Sequence, residues 1–315
     1  MIEPNVSVLI VTYNSERYIA ECIQALSGAR TCFEVVVIDN ASSDSTLEIL
    51  DSLDVAPIVI ANHDNLGFAS AVNLGAKKAR GSTLLLLNPD CVLTGANLDV
   101  LVETLHANPD VGIVAPAIEH PSGRLTVRSA GFQPTIARMA SQAVGLAKSR
   151  ATAKKFPGFN LYPAGEVGEE TEVEWVSGAC LAIRRQLWQS LNGLSERWFM
   201  YAEDIDLCRR VQITAKLKII HTSRSRATHV VGASSETPDG PVWTLWIENL
   251  ADYYRLEFNP GAMRMLVWKF FTSAIYFSRS MIYGLRAARA PSKRREWKRE
   301  QRKFNAYAMA VVKFK

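Results

Sequence analysis

Apolar and polar residues alternate in blocks along the first part of the chain, and the blocks predict strands and helices in turn. Continuous apolar runs at 6–12, 34–39 and 83–87 are typical of strands that are buried on both faces. Between them, stretches such as Glu16–Ser27 place apolar residues three and four positions apart, which indicates amphipathic helices. This alternation predicts an α/β fold with a Rossmann-like, mostly parallel central sheet flanked by helices.

The pattern changes in the second half of the chain. Residues 121–174 are rich in Gly, Pro, Ser and Lys and have weak periodicity, which predicts a long flexible insertion. Strand signals return later, with two strands expected at 218–221 and 227–231. Residues 241–315 have a helical pattern, so we expect a large domain over 1–240 followed by a helical C-terminal extension.

Composition excludes several classes of protein. The 315 residues are 48% hydrophobic and 21% charged, which is unlike disordered or collagen-like chains. The five cysteines include no CxxC pair, so neither a disulfide framework nor a structural zinc site is indicated. The start of the sequence lacks the basic segment and long apolar core of a secretory signal, and we expect a cytoplasmic protein.

Charge is distributed unevenly. Residues 286–315 hold eleven Lys or Arg and two Glu, whereas the rest of the chain is net acidic. An apolar helical arc precedes this basic tail, so the segment 263–303 predicts peripheral attachment to an anionic membrane surface at the inner face of the cell membrane. The alternative is a helix packed on the domain with a solvated, charged end.

Nucleic acid is a weaker partner for the tail. Binding to single strands would require aromatic rings interleaved with the cations, and only Trp297, Phe304 and Tyr307 qualify. We therefore expect no nucleic-acid partner. Oligomeric state cannot be derived from the pattern.

Polar clusters follow the predicted strands. Thr12, Tyr13 and Asn14 close the first strand, Asp39 closes the second, and Asn88-Pro89-Asp90 follows the fourth. Ligands of open α/β sheets bind beyond the carboxyl ends of the strands, although each cluster alone could be a turn or a helix cap. The chain lacks GxGxxG after the first strand and lacks a P-loop, so a diphosphate would need another source of positive charge. A divalent cation held by Asp90 would supply it.

Carboxylates also cluster at the start of a predicted helix, where Glu203, Asp204 and Asp206 follow an aromatic run. Capping by the helix dipole would explain them, but a desolvated carboxylate there would also suit a general base. His229, at a predicted strand end, is either structural or a further metal ligand beside Asp90.

Together these motifs resemble the family 2 inverting glycosyltransferases with a GT-A fold, in particular the rhamnosyltransferase-like branch of bacterial cell-wall and surface polysaccharide biosynthesis. The segments that carry the resemblance are VSVLIVTYNS (6–15), VVVIDNASSDST (35–46), NLGFASAVNLG (65–75), LLLLNPDC (84–91), VSGACLAIRR (176–185) and FMYAEDIDLCRR (199–210).

The resemblance implies a role for each matching residue. It implies Asp204 as the catalytic base with Glu203 beside it, and Asp90 with His229 as ligands of Mg²⁺ or Mn²⁺. The donor-binding residues it implies are Thr12, Tyr13, Asn14, Asp39, Asn65, Gly67, Asn73, Asn88, Gly178 and Ala179. It also implies a donor-binding part at 1–118 and an acceptor and catalytic part at 175–240.

The implied activity is transfer of a sugar from a nucleotide-sugar donor to a saccharide acceptor. The branch suggests L-rhamnose from dTDP-rhamnose and a polyprenyl-diphosphate-linked acceptor. UDP-galactofuranose, UDP-GlcNAc and GDP-mannose remain alternative donors, and a nucleotidyltransferase of sugar-nucleotide metabolism remains an alternative enzyme. Asn88 replaces the first Asp of the family's Asp-x-Asp motif, which implies a weaker metal site because one negative charge is lost.

Overall fold

The computed structural model describes residues 4–122, 129–149, 151–161, 168–230 and 242–315, which form two compact units. The first unit contains the described residues of Met1–Gly131 and Glu166–Ser234, and the second contains those of Phe132–Gly165 and Ser235–Lys315.

The strands belong to the first unit. They are β1 (Val6–Thr12), β2 (Phe33–Asp39), β3 (Ile58–Ala61), β4 (Thr83–Leu87), β5 (Cys91–Leu93), β6 (Val111–Glu119), β7 (Ala130–Gly131), β8 (Glu170–Val173), β9 (Trp175–Val176), β10 (Cys180–Arg184) and β11 (Lys218–His229). The helices of both units are α1 (Ile19–Gln24), α2 (Thr46–Asp51), α3 (Phe68–Lys78), α4 (Gly95–Ala107), α5 (Ile136–Ala143), α6 (Arg185–Ser190), α7 (Glu203–Ile213), α8 (Leu245–Phe258), α9 (Ala262–Arg289) and α10 (Arg294–Lys313).

A central sheet organises the first unit, in the order β3-β2-β1-β4-β10-β6-β11-β5, with β8 paired to β11. The strands β3, β2, β1 and β4 are parallel to one another, and β6 is parallel to β11. Their apolar side chains, such as Val8, Ile10 and Leu85, are fully buried, as continuous apolar runs predict. The mostly parallel sheet, the flanking helices and the helical C-terminal region confirm the expected fold class.

Strand β10 runs antiparallel between β4 and β6, whereas β5 and β8 are antiparallel to β11 at the far side of the sheet. Its first residue, Cys180, pairs with Leu87, the last residue of β4. The residues that enter β10 therefore lie at the edge where β1, β2 and β4 end, and this edge carries the polar clusters.

The expectation of two strands at 218–221 and 227–231 is wrong, because β11 is one strand over Lys218–His229. Its register with β6 shifts between Thr222 and Arg226, which interrupts the apolar pattern without ending the strand. Residue 231 lies outside the described residues.

The second unit joins part of 121–174 to the C-terminal helices, which differs from the boundary expected at residue 240. Helix α5, which the weak periodicity did not predict, packs against α9. The indole Nε1 of Trp268 donates to the Pro134 carbonyl at 2.6 Å, and the Tyr253 hydroxyl donates to Gln133 Oε1 at 2.6 Å. These buried hydrogen bonds hold the segment before α5 to α8 and α9.

The basic tail packs as a helix in this unit. Tyr283 of α9 stacks on Trp297 and Phe304 of α10, with ring centroids 5.6 and 5.4 Å apart. Arg286 lies over the rings of both Tyr283 and Trp297. Among the described residues, no helix combines the length and the apolar character needed to cross a membrane.

Four of the five cysteines are buried in the first unit, namely Cys22, Cys91, Cys180 and Cys208, whereas Cys32 is exposed. Burial raises the pKa of Cys22 and of Cys208 above the ordinary thiol value. A hydrogen bond with Cys91, together with burial, raises the pKa of Cys180. These three interior thiols are therefore protonated at neutral pH.

Asp99 fixes α4 to the turn after α1, and it makes the pH dependence of stability testable. Its Oδ1 accepts from the Thr31 hydroxyl at 2.6 Å, and its Oδ2 accepts from the Arg30 backbone N–H at 3.0 Å. Burial opposes ionisation, but these hydrogen bonds lower the pKa of Asp99 to about 2. Asp99→Asn should lower the free energy of unfolding by about 1 to 2 kcal/mol near neutral pH.

That deficit should shrink as pH falls through the range from about 4 to about 2, because the wild-type carboxylate is then protonated. Urea unfolding at several pH values measures it. Glu103→Gln is the control, since Glu103 makes only an exposed ion pair with Arg30. A deficit that is constant across this range would contradict the assignment.

Candidate active site

The ends of β1 and β2 hold a buried carboxylate, Asp39, which is 1% exposed. The Thr12 hydroxyl donates to its Oδ1 at 2.8 Å, and the Ser42 hydroxyl donates to the same oxygen at 2.5 Å. The backbone N–H of Ser42 donates to Oδ2 at 2.9 Å. The carboxylate is therefore fixed in one orientation at the edge of the sheet.

Asn14 closes the same corner. Its backbone is left-handed, with φ of 52°, and its N–H donates to the Ser42 hydroxyl at 2.9 Å. Its Oδ1 accepts from the Ser43 N–H at 2.8 Å. The neighbouring Tyr13 is 46% exposed, so a ring is open to a ligand beside Asp39. The structure thus brings together the four predicted nucleoside-binding residues.

Asn40 was not predicted as a site residue, but it connects this corner to the next loop. It is 2% exposed, and its Nδ2 donates to the Gly67 carbonyl at 3.1 Å and to Asn65 Oδ1 at 3.2 Å. The only sequence signal was its place in the polar cluster after β2, where turn formation explained it equally well. Asn40, directly after β2, therefore fixes the positions of Asn65 and Gly67.

Gly67 brings this loop against the segment that precedes α7. Its φ is 81°, and a Cβ there would lie 2.4 Å from the Phe199 carbonyl oxygen. The N–H of Phe68 donates to the same carbonyl at 2.8 Å. Only glycine combines this left-handed conformation with so close an approach.

Asn73 lies in α3 and contacts a different loop. Its Nδ2 donates to the Leu194 carbonyl and to Glu196 Oε1, each at 2.9 Å, and its Oδ1 accepts from the Leu194 N–H. The amide nitrogen and the amide oxygen of Asn73 thus both bind the 194–196 loop. Asn65 and Gly67, in contrast, are bound by Asn40, next to Asp39.

Asp90 and His229 face each other at the same edge of the sheet. His229 pairs with Cys91 across β11 and β5, and its Nε2 lies 3.0 Å from Asp90 Oδ1. Asp90 is 7% exposed. The backbone N–H of Asn88 donates to the Ala179 carbonyl at 2.9 Å, which attaches the loop to the start of β10.

This pair could contribute one carboxylate oxygen and one imidazole nitrogen to a divalent cation, and it would leave the other coordination positions open for phosphate oxygens and water. Within the described ranges, no three His, Cys, Asp or Glu side chains form a cluster that could hold a metal ion.

Helix α7 begins with the two predicted catalytic carboxylates. Tyr201 and Ala202, immediately before it, both have left-handed backbones, with φ of 71° and 77°. Asp204 Oδ2 accepts from the Gly178 N–H at 3.1 Å, and its Oδ1 accepts from the Ile205 N–H at 2.8 Å. Backbone strain of this kind concentrates at functional sites.

Burial shifts the titration of both carboxyl groups. Burial, and secondly the charge of Asp204, raises the pKa of Glu203 to about 8. Its Oε2 has no hydrogen-bond partner in the part of the chain that the structure describes. Burial also raises the pKa of Asp204, against the effect of the Gly178 and Ile205 N–H groups. Glu203 therefore carries a proton at neutral pH, beside a partly exposed carboxylate with available lone pairs.

Hydrogen bonds connect these groups across the edge. Asp204 binds Gly178, and the adjacent Ala179 accepts from Asn88, two residues before Asp90. The carboxylates expected to act as a base, to hold a cation and to bind a nucleoside therefore all lie at the ends of strands or beside them in the first unit.

Comparisons with known proteins find one family model and several named relatives to which this chain is similar. The model of the family described as Glycosyl transferase family 2 matches residues 7–160. The N-acetylglucosaminyl-diphospho-decaprenol L-rhamnosyltransferase of Mycobacterium tuberculosis is 26% identical over 245 residues, covering 73% of this chain and 78% of that protein. Rhamnosyltransferase WbbL of Escherichia coli is 23% identical over 231 residues, covering 71% and 83%.

The fold is also similar to a solved glycosyltransferase structure. The mannosyltransferase PcManGT from Pyrobaculum calidifontis, in complex with GDP-Man and Mn²⁺, aligns with a TM-score of 0.59 and 18% identity. The alignment covers 99% of this chain and 87% of that one.

The buried proton on Glu203 should make stability depend on pH. As pH rises from about 5 to about 8, the unfolded chain loses this proton while the folded protein keeps it, so folding becomes less favourable. Over that range, the free energy of unfolding of wild type should fall relative to that of Glu203→Gln by more than about 1 kcal/mol, because the variant has no such proton to keep.

Urea unfolding at each pH measures this difference. Glu48→Gln, at an exposed position on α2, is the control that should leave the wild-type pH dependence unchanged. Parallel profiles for Glu203→Gln and wild type would show that Glu203 is ionised in the folded protein.

Proposed function

Because the chain is similar to family 2 glycosyltransferases, we propose that it belongs to this family and transfers a sugar from a nucleotide-sugar donor to a saccharide acceptor with inversion at the anomeric carbon. The observation that carries the proposal is the hydrogen-bonded path from Asp204 through Gly178 and Ala179 to the Asn88–Asp90 loop. This path supports the proposal because it joins Asp204, the proposed base, to the loop of Asp90, a proposed cation ligand, at one edge of the sheet.

The nucleoside would bind at the corner of β1 and β2. Asp39 is a fixed acceptor for a base or ribose, the exposed ring of Tyr13 can stack on a base, and Thr12 and Asn14 hold the corner in shape. Asn65, Gly67 and Asn88 would line the path from ribose to phosphate. Gly178 and Ala179 would lie beside the donor sugar, and Asn73 would act on the donor site through the 194–196 loop that it binds.

Asp204 would act as the general base. It removes the proton of the acceptor hydroxyl as that oxygen forms a bond to the anomeric carbon, while the bond from this carbon to the diphosphate oxygen breaks. Single displacement inverts the configuration and needs no covalent enzyme intermediate. Glu203, protonated beside it, adds no second negative charge to the site.

Asp90 and His229 would hold a divalent cation, Mg²⁺ or Mn²⁺. When bound, such an ion supplies electrostatic stabilisation to the leaving nucleoside diphosphate. The similar fold of PcManGT with GDP-Man and Mn²⁺ supports this assignment. Asn88 in place of a second carboxylate lowers the negative charge of the site, so we expect modest metal affinity in the absence of nucleotide.

The sugar we propose is L-rhamnose from dTDP-rhamnose, and the acceptor is a polyprenyl-diphosphate-linked saccharide of cell-wall or surface polysaccharide synthesis. Two relatives named as rhamnosyltransferases support the sugar, and the decaprenol in one of these names supports the lipid. A lipid-linked acceptor would also require the enzyme to work peripherally at the cytoplasmic face of the membrane.

A donor panel tests the proposal. Release of nucleoside diphosphate from dTDP-, UDP- and GDP-sugars should be fastest with dTDP-rhamnose, and Asp204→Asn should lower transfer by at least about a hundredfold with donor binding retained. The amide is nearly isosteric with the carboxylate but takes up no proton near neutral pH.

Asp206→Asn is the matched control, since Asp206 pairs with Arg210 at 2.7 Å and has no role in the proposed chemistry. We expect this variant to keep transfer within about tenfold of wild type. Wild-type turnover in Asp204→Asn would remove Asp204 as the base, and release from a UDP- or GDP-sugar alone would reassign the donor.

The metal makes a separate prediction. Excess EDTA should abolish transfer, and Asp90→Ala should weaken binding of dTDP in the presence of Mg²⁺ but not in its absence. Isothermal titration calorimetry measures both affinities. His229→Ala should produce a smaller defect, because it removes a neutral ligand. Full activity in EDTA would leave basic side chains to stabilise the diphosphate.

A further inference from the structure

Helix α9 carries large, exposed apolar side chains along one face. These residues, here called the apolar stripe, are Met263, Leu266, Phe270, Phe277, Met281 and Leu285. Their exposed fractions lie between 55% and 72%. Their spacing keeps them within about a third of the helix circumference over a length of roughly 33 Å. The stripe is therefore a continuous apolar strip on the surface.

The stripe is a second apolar face, because α9 already buries its opposite side. Trp268, Ile275 and Tyr276 of that side are buried, and α9 packs there against α5 and α10. Packing within the second unit thus explains the apolar residues on the buried side of α9. Among the described residues, it does not cover the stripe. Exposed apolar surface of this extent marks an interaction site.

The charges that interrupt the apolar sequence of α9 point away from the stripe. The Lys269 ammonium donates to the Phe314 carbonyl, and the Arg279 guanidinium lies 5.4 Å from the centroid of the Phe304 ring. Both partners belong to the α10 end of the unit. The stripe consequently contains no charged side chain between Leu266 and Leu285.

Cations lie at both ends of the stripe. Arg264 is exposed beside Met263, and Arg289, Lys293 and Arg294 are exposed just beyond Leu285. Residues 286–315 contain eleven Lys or Arg and only two Glu. A second copy of the chain packed along the stripe would bring these like charges together, whereas anionic lipid headgroups would neutralise them.

We propose that the apolar stripe docks on an anionic lipid bilayer, with α9 lying in the plane of the interface and its flanking cations at the headgroup phosphates. This deepens the proposed function and rests on it for the lipid-linked acceptor. Membrane contact would then come from the exposed face of α9, which has cations at its ends. The Trp297 and Phe304 rings of α10 stack on Tyr283 within the unit.

Sedimentation with vesicles tests the docking face on the full chain, without donor or acceptor. Wild type should bind vesicles of phosphatidylglycerol and phosphatidylcholine, and binding should weaken at high salt. Phe270→Glu with Phe277→Glu should lower the bound fraction at least about tenfold, because the change removes two apolar anchors and adds negative charge. Arg289→Gln with Lys293→Gln should weaken binding about tenfold at low salt.

Two control variants separate the stripe from general effects. Phe270→Leu with Phe277→Leu keeps the face apolar and should bind as wild type does. Leu256→Glu places a charge at an exposed leucine of α8, outside the stripe, and should also bind normally. Thermal unfolding followed by circular dichroism should be similar for all variants, since the altered side chains are exposed.

The proposal is overturned if the Glu variant sediments as wild type does, or if wild type fails to bind anionic vesicles. Light scattering that finds a dimer in wild type and a monomer in the Glu variant would assign the stripe to a second copy instead. Transfer to a soluble acceptor is measured in parallel. Vesicle binding without sugar transfer would contradict the proposed function but not the membrane-docking proposal. Sugar transfer without vesicle binding would contradict the membrane-docking proposal alone.

Discussion

The site depends on one topological constraint, the antiparallel strand β10 between the parallel strands β4 and β6. A parallel strand there would begin at the opposite edge of the sheet. Reversal brings Gly178 and Ala179, just before β10, beside the ends of the parallel strands. From that place the backbone of Ala179 binds the loop that carries Asp90, and the backbone of Gly178 holds Asp204. One strand direction thus aligns the two halves of the site.

The start of α7 contains two local costs that the surrounding structure must offset. Two successive left-handed residues and a buried carboxyl group with an unpaired oxygen are each unfavourable, by about 1–3 kcal/mol for each backbone outlier. The hydrogen bond from the Phe68 N–H to the Phe199 carbonyl braces this segment from the loop that contains Gly67. Arg210 of α7 braces it from the other side by binding the Leu191 and Gly193 carbonyls.

Much of the fold follows from local pattern, because continuous apolar runs identify the buried strands β1, β2 and β4 without further information. Helix α5 was not predicted, because the contacts that stabilise it against α9 join residues more than a hundred positions apart in the sequence. Motifs likewise identified Asp39, Asp90 and Asp204, whose residue types suggest chemistry. Asn40 was missed because its importance lies in burial and in bonds to a distant loop, which no local pattern records.

The distribution of the cysteine thiols makes opening of the hydrophobic core measurable by chemical labelling. Cys32 is exposed, whereas Cys22, Cys91 and Cys180 are buried in the hydrophobic core of the first unit and Cys208 is buried on α7. A thiol reagent would modify Cys32 in the native state, but it would reach the interior sulfurs only when the core opens. The mass of the labelled chain, followed over time, would therefore separate local fraying from global unfolding in the absence of denaturant.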